Sequence, residues 1–117
     1  KNNHVKMNGS KIYNFITSSV LPSLDKFLIK YKKFKIKKLY IHQASKLVLE
    51  LFQNKYGSFE FDIPTNIEKY GNTNASTIPI LLGKDIESKR IKKGDFAILC
   101  SFGVGLSYNI ALVKIDE

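Results

Sequence analysis

The chain has 117 residues but only one cysteine, Cys100, one arginine, Arg90, and two histidines, His4 and His42. A single thiol excludes an internal disulfide and a cysteine-built zinc site, and it fits a reducing, cytoplasmic setting. No metal centre is expected. His4 is the only histidine besides His42, and no acidic residue stands at helical spacing from His42 on its ligand side. No apolar run approaches the roughly 18–20 residues that cross a bilayer. Internal repeats and low-complexity tracts are lacking too. The opening KNNHVKMNG has neither an initiator methionine nor an apolar signal region, which reads as a chain cut from something longer.

With one arginine among 19 basic residues, the positive charge is carried by lysine. The formal balance of +9 favours an acidic partner: nucleic acid, anionic lipid, a phosphorylated cofactor or an acidic protein. Lysine supplies a diffuse field without the planar fork that reads bases or grips phosphates. A Lys/Asn/Ile bias also follows from AT-rich coding, so the charge alone assigns no partner. No aromatic-rich RNA motif is present, and the aromatics sit mostly at core spacing, so nucleic acid is not the expected partner.

What is there suffices for one domain. Hydrophobic residues make up 44% of the chain. Asn8-Gly9 is a turn signal and Ser10 a suitable N-cap. From Ile12 to Tyr31 apolar residues recur at helical spacing, interrupted by Pro22, which predicts a kink or two abutting helices. Residues 36–41 (IKKLYI) read as a strand. Ala44, Leu47, Val48, Leu51 and Phe52 form one face of a second helix closed by Gly57. Phe59, Phe61 and Ile63 alternate as a short strand ending at Pro64. After the turn-rich 65–74 a third helix is expected from Ala75 to Arg90, with Pro79 in its first turn. Residues 96–101 (FAILCS) read as a strand covered on both faces. A tight loop, Phe102 to Gly105, then leads into a last strand over 106–115. The alternation implies the α/β class: helices packed on a mixed sheet, parallel in its first steps, with a final antiparallel hairpin.

Few residues could do chemistry. His42 ends a strand, where open α/β sheets gather functional groups; taken alone, the position equally suits a structural hydrogen bond. Asn72 lies in a Gly-containing turn before a helix and alone is a loop asparagine. Gly103 and Gly105 make a hairpin turn or bring backbone N–H groups to a ligand. Cys100 sits in the apolar strand with no adjacent cation or helix N-terminus and reads as core.

Together these stretches are more specific. "HQAS" at 42–45, "YGNTNAS" at 70–76, "IKKGD" at 91–95 and "SFGVG" at 101–105 follow in this order. The set closely resembles the C-terminal half of a β-ketoacyl-acyl carrier protein synthase III, in the thiolase-fold superfamily. That family carries H-Q-A-N, then G-N-T, then a K-P-G-like turn, then F-G-G-G. "KMNGSKIYNF" at 6–15 looks like the M-x-G that opens the family's first helix of this half. The resemblance therefore covers nearly the whole chain and treats residues 1–117 as one C-terminal domain, half of a thiolase-like fold.

The resemblance implies an acyltransferase of fatty-acid biosynthesis that condenses an acyl thioester with malonyl-acyl carrier protein and releases carbon dioxide. His42 and Asn72 would hold the malonyl thioester carbonyl, as two preset N–H donors for a developing enolate oxygen. The Val104 N–H would serve a second oxyanion hole. Phe102, Gly103, Gly105, Ser45 and Gly9 would line the substrate surface. No cofactor is bound covalently; the substrates carry phosphopantetheine, as coenzyme A or acyl carrier protein. Three departures stand out: Ser45 for the usual asparagine, Val104 for a middle glycine, and Leu47 where the family often has a carrier-protein arginine, a contact that Lys46 or the Lys26–Lys38 cluster could replace. The family's nucleophilic cysteine belongs to the N-terminal half, so this chain alone is expected to be inactive. It is also expected to pair with such a half or with a second copy of itself. The alternatives are a relative that transfers acyl groups to a non-malonyl acceptor and a non-catalytic basic binding module.

Overall fold

The computed structural model describes residues 9–42, 45–65, 77–103 and 105–116. Helix α1 spans Gly9–Phe15, a π-helical turn Ile16–Val20, and helix α2 Leu21–Lys30. Strand β1 (Ile36–Ile41), helix α3 (Lys46–Tyr56), helix α4 (Thr77–Glu87), strand β2 (Phe96–Gly103) and strand β3 (Ser107–Lys114) follow. The sheet order is β1-β2-β3, with β1 parallel to β2 and β2 antiparallel to β3. The mixed α/β class and the final hairpin are as the sequence predicts.

Alternation along β2 explains the layers. Ile98, Cys100 and Phe102 point to one face, where they join Leu39 and Ile41 of β1. Ile16, Val20 and Leu24 from the first helices and Val48, Leu49 and Phe52 from α3 close over them as the main core. Ala97 and Leu99 point the other way, with Tyr40, and meet Leu81, Ile78 and Leu82 of α4. The strand is thus covered on both faces, which is why its sequence is almost continuously apolar.

Several expectations need correction. Ser10 lies inside α1 rather than capping it. Around Pro22 the structure shows two abutting helices: α1 passes through the π-helical turn into α2, and Phe15, Val20 and Leu21 all keep right-handed helical angles. The Leu21 N–H reaches the Ile16 carbonyl, so the ladder widens by one residue just before the proline, where a pyrrolidine ring would otherwise press on the preceding turn. Thr17 and Ser18 hydroxyls donate to the Tyr13 and Asn14 carbonyls at 3.0 and 2.6 Å, adding donors where the spacing changes.

Phe59, Phe61 and Ile63 form no strand of the sheet. That segment makes one isolated parallel bridge, Lys38 to Asp62, and the aromatic alternation instead serves packing of Phe59 and Phe61 against Tyr56. The buried face of α3 is Val48, Leu49, Phe52 and Tyr56, and Leu47 is 60% exposed. Gly57 does close α3, with ordinary helical angles; a Cβ there would stand 2.5 Å from the Gln53 carbonyl oxygen. Strand β2 runs through Phe102 and Gly103, which pair with Tyr108 and Ser107, so the expected loop is shorter than predicted.

Helix α4 ends at Glu87, three residues before the expected Arg90. Lys89 takes φ +63°, and the Arg90 N–H returns to the Asp85 carbonyl at 2.8 Å. A non-glycine residue in that region costs about 1–2 kcal/mol, against which glycine loses about 0.4–1 kcal/mol through the freer unfolded chain. Lys89→Gly is therefore expected to stabilise the protein by about 0.5–1 kcal/mol, seen as a higher urea midpoint at unchanged m-value.

Candidate functional site

His42 is the first residue past β1. Its backbone N–H donates to the Cys100 carbonyl at 3.0 Å, extending the parallel ladder by one bond beyond the Ile41–Cys100 pair. That bond fixes where the side chain leaves the sheet. The imidazole stands edge-on to the Phe102 ring, centroids 5.5 Å apart at 89°. Phe102 in turn stacks nearly parallel on Phe52 of α3, 6.1 Å away at 4°. Phe52 is fully buried, so the row His42–Phe102–Phe52 runs from the sheet end into the main core.

Burial lowers the imidazole's pKa below its ordinary 6.5. The neutral ring therefore dominates at neutral pH and offers one N–H donor and one lone pair. A depressed histidine pKa means that its contribution to stability is present above about pH 6.5 and is lost as pH falls through the folded value. An NMR titration of the His42 ring is expected to show a midpoint below 6.5.

Ser45 is the N-cap of α3: its Oγ accepts from the Val48 N–H at 3.2 Å and its carbonyl from the Leu49 N–H at 3.0 Å. The hydroxyl is thus already used in capping, a role the Ser-Lys-Leu-Val sequence before an apolar face could have signalled. Lys46 and Leu47 follow on the exposed first turn of α3. Gly103 ends β2 opposite Ser107, and Gly105 and Leu106 turn the chain at φ +80° and +48°. Gly9 opens α1. Asn72 and Val104 lie outside the described residues. So His42, Phe102 and Gly103 come together at one sheet end, and Phe52 is the member sequence reasoning did not single out. The signal was the period of two through Ile98, Cys100 and Phe102, which carries the strand past Ser101 and turns Phe102 inward.

Cys100 is fully buried on the core face of β2, and burial pushes its thiol up to about 12. It stays protonated and inert, as expected of a core cysteine. Among the described residues no group of three or more His, Cys, Asp or Glu side chains could hold a metal ion, and no helix is long and apolar enough to cross a membrane. What the site can do is present a neutral imidazole N–H donor at a strand end, next to the Phe102 ring.

The sequence pattern of the family described as 3-Oxoacyl-[acyl-carrier-protein (ACP)] synthase III C terminal matches residues 29–115. The chain is 37% identical over 112 residues to the beta-ketoacyl-[acyl-carrier-protein] synthase III of Prochlorococcus marinus (strain MIT 9301), a match covering 94% of this chain and 33% of that protein. Identity to the protein of the same name from Latilactobacillus sakei subsp. sakei (strain 23K) is 32% over 111 residues, 93% of this chain and 34% of the relative. A crystal structure of a 3-oxoacyl-(acyl-carrier-protein) synthase III, 29% identical, superposes with a TM-score of 0.82 over 93% of this chain and 33% of its own. The chain spans about a third of the length of the relatives it matches.

Proposed function

Because the chain belongs to the 3-oxoacyl-[acyl-carrier-protein] synthase III C-terminal family, we propose that it is the C-terminal domain of a condensing acyltransferase of fatty-acid synthesis. Its fold is one half of a thiolase-like fold. The observation that carries the reading is His42: its backbone N–H is fixed on the Cys100 carbonyl at a strand end, and its neutral imidazole packs edge-on to the Phe102 ring.

In the proposed reaction the substrates are an acyl group on a cysteine of the N-terminal half and a malonyl thioester on acyl carrier protein. The bond from the malonyl carbon to its carboxylate breaks, carbon dioxide leaves, and the electron pair moves into an enolate. The enolate oxygen accepts N–H bonds from His42 and Asn72. Its carbon then attacks the acyl-cysteine carbonyl, whose oxyanion takes the Val104 N–H, and collapse expels the cysteine thiolate. Donors that meet charge only as it develops lower the barrier rather than the binding constant; losing one costs about 10²–10³ in turnover. Phe102, Gly103, Gly105, Gly9 and Ser45 border the phosphopantetheine and acyl path. Lys46 and Leu47 face the carrier protein, with Leu47 replacing a charge-assisted contact by an apolar one.

The test has two arms. The 117-residue chain alone is expected to make no ketoacyl product from acetyl-coenzyme A and malonyl-acyl carrier protein. Joined to an N-terminal half of the same family it is expected to do so, and His42→Ala in that assembly is expected to lower turnover about 10²–10³-fold. Condensation by the chain alone would sink the fragment reading, and an unaltered His42→Ala rate would sink the clamp. The isolated chain is further proposed to self-associate as a C2 pair that mimics the missing contact; light scattering showing a monomer at high concentration would count against that.

A further inference from the structure

At the other end of the sheet from His42 lies a cavity of about 390 Å³. It is lined by Ile36, the first residue of β1. Six residues of strand rise put Ile36 about 20 Å from the histidine, and Ile98, opposite Leu39, is the lining residue of the sheet nearest to it. Its floor is the rim of the main core: Leu28 of α2, Ile36, Phe61 and Ile98. Three more rings line it, Tyr31, Phe34 and Phe59. Phe59 is 47% exposed, yet it is not loosely held. Its N–H donates to the Tyr56 carbonyl at 3.0 Å, and its ring packs on Tyr56 at 5.3 Å and Phe61 at 5.4 Å. An aromatic ring fixed in place and half in water marks a surface shaped for contact.

The mouth is cationic. Lys32, Lys33 and Lys35 line the cavity, against one carboxylate, Glu60. Lys33 reaches over the Phe34 ring at 5.9 Å. Lys32 and Lys35 are exposed and have no carboxylate partner among the described residues. The volume is near the low end for ligand pockets, which suits a narrow molecule rather than a folded partner. The apolar floor favours an alkyl chain, and ammonium groups without a carboxylate partner at the rim favour a negative end.

We infer that this cavity binds a single-chain amphiphilic anion. The alkyl chain lies over Leu28, Ile36 and Ile98 between Phe34 and Phe59, and a carboxylate or phosphate head sits among Lys32, Lys33 and Lys35. The site is independent of His42 and of the proposed condensation.

The experiment is an NMR titration of the isotope-labelled 117-residue chain with dodecanoate, dodecyl phosphate and dodecanol, all below their micelle concentrations. Saturable shifts are expected at the Ile36 and Ile98 methyls and the Phe59 ring, with the two anions at least tenfold tighter than dodecanol. The ratio between the two anions identifies the preferred head group. Lys32→Gln with Lys35→Gln changes only exposed side chains and is expected to weaken the anions about tenfold while leaving dodecanol unchanged. Phe59→Ser is expected to weaken all three. Equal binding of dodecanol and dodecanoate would overturn the inference. So would shifts centred on α4 or the His42 end, or the absence of saturable shifts with both anions.

Discussion

Phe52→Ala is expected to cost about 3–5 kcal/mol, against a total stability of about 5–15 kcal/mol for a domain of this kind. Phe52 is fully buried in the main core, where its ring stacks on Phe102 at 6.1 Å and lies 6.5 Å from Tyr56. Removing it subtracts the transfer energy of the ring and leaves a void that α3, pinned by its Ser45 cap and by the Tyr56 hydroxyl's bond to Asp25, cannot close. Urea denaturation reads the loss. A second observable separates this site from an ordinary core position. With its stacking partner gone, Phe102 loosens, water reaches the imidazole beside it, and the His42 titration midpoint rises toward 6.5. Leu24→Ala, at a fully buried position on α2, is expected to cost about 2–5 kcal/mol without moving that midpoint.

The second large effect is alkaline. Tyr40 donates its hydroxyl to the buried Asp85 carboxylate at 2.7 Å, and Tyr56 donates to Asp25 at 2.7 Å. Burial, then the hydrogen bond and the charge of the neighbouring carboxylate, raise both phenols above their ordinary 10.0. Burial raises the Cys100 thiol from 9.0 to about 12. All three groups keep their protons in the folded protein after the unfolded chain has lost them. The folded state then binds more protons, and stability falls as pH rises. The fall begins near pH 9, where the unfolded thiol ionises, and steepens above pH 10 as the two phenols join. Each group contributes about 1.4 kcal/mol per pH unit, so three give about 4 kcal/mol per unit. Stability measured by urea titration from pH 8 to 11 is expected to show that slope. Tyr40→Phe combined with Tyr56→Phe should flatten it to about one group. The same pair of changes lowers stability at pH 7, because each removes a hydrogen bond to a carboxylate, worth about 1.5–3 kcal/mol. Level and slope therefore move in opposite senses, which a general loss of packing would not produce.

The sheet and its helices were legible because their patterns are strong. The apolar run from Phe96 to Cys100, followed by the glycine turn and a last strand, packs as a doubly covered strand and its hairpin mate. The errors fell where local pattern competes with tertiary context. Phe59, Phe61 and Ile63 alternate like a strand, but β1 accepts only one bridge from that segment, and the rings are used against Tyr56 instead. Leu47 has the spacing of a core residue on α3, yet the Ser45 cap sets the helix phase so that Leu49 turns inward and Leu47 outward. Pro22 reads as a kink or a joint between two helices, and the π-helical turn ahead of it is that joint. His42 was legible as a strand-end residue. Its link to Phe52 was not, because two aromatics fifty positions apart in sequence meet only across the packed layer.

The connection between β1 and β2 bears on how the protein reaches this state. Ile36 pairs with Phe96 across sixty positions, whereas β2 and β3 meet through a short turn. Loop closure makes the hairpin the early event and the parallel seam the late one, since its entropy must be met before any of its contacts form. The bond from His42 to the Cys100 carbonyl crosses that seam. A chain caught with its hairpin formed and its seam open would carry every residue of the site and no site, so the functional geometry is a report on the last step of folding.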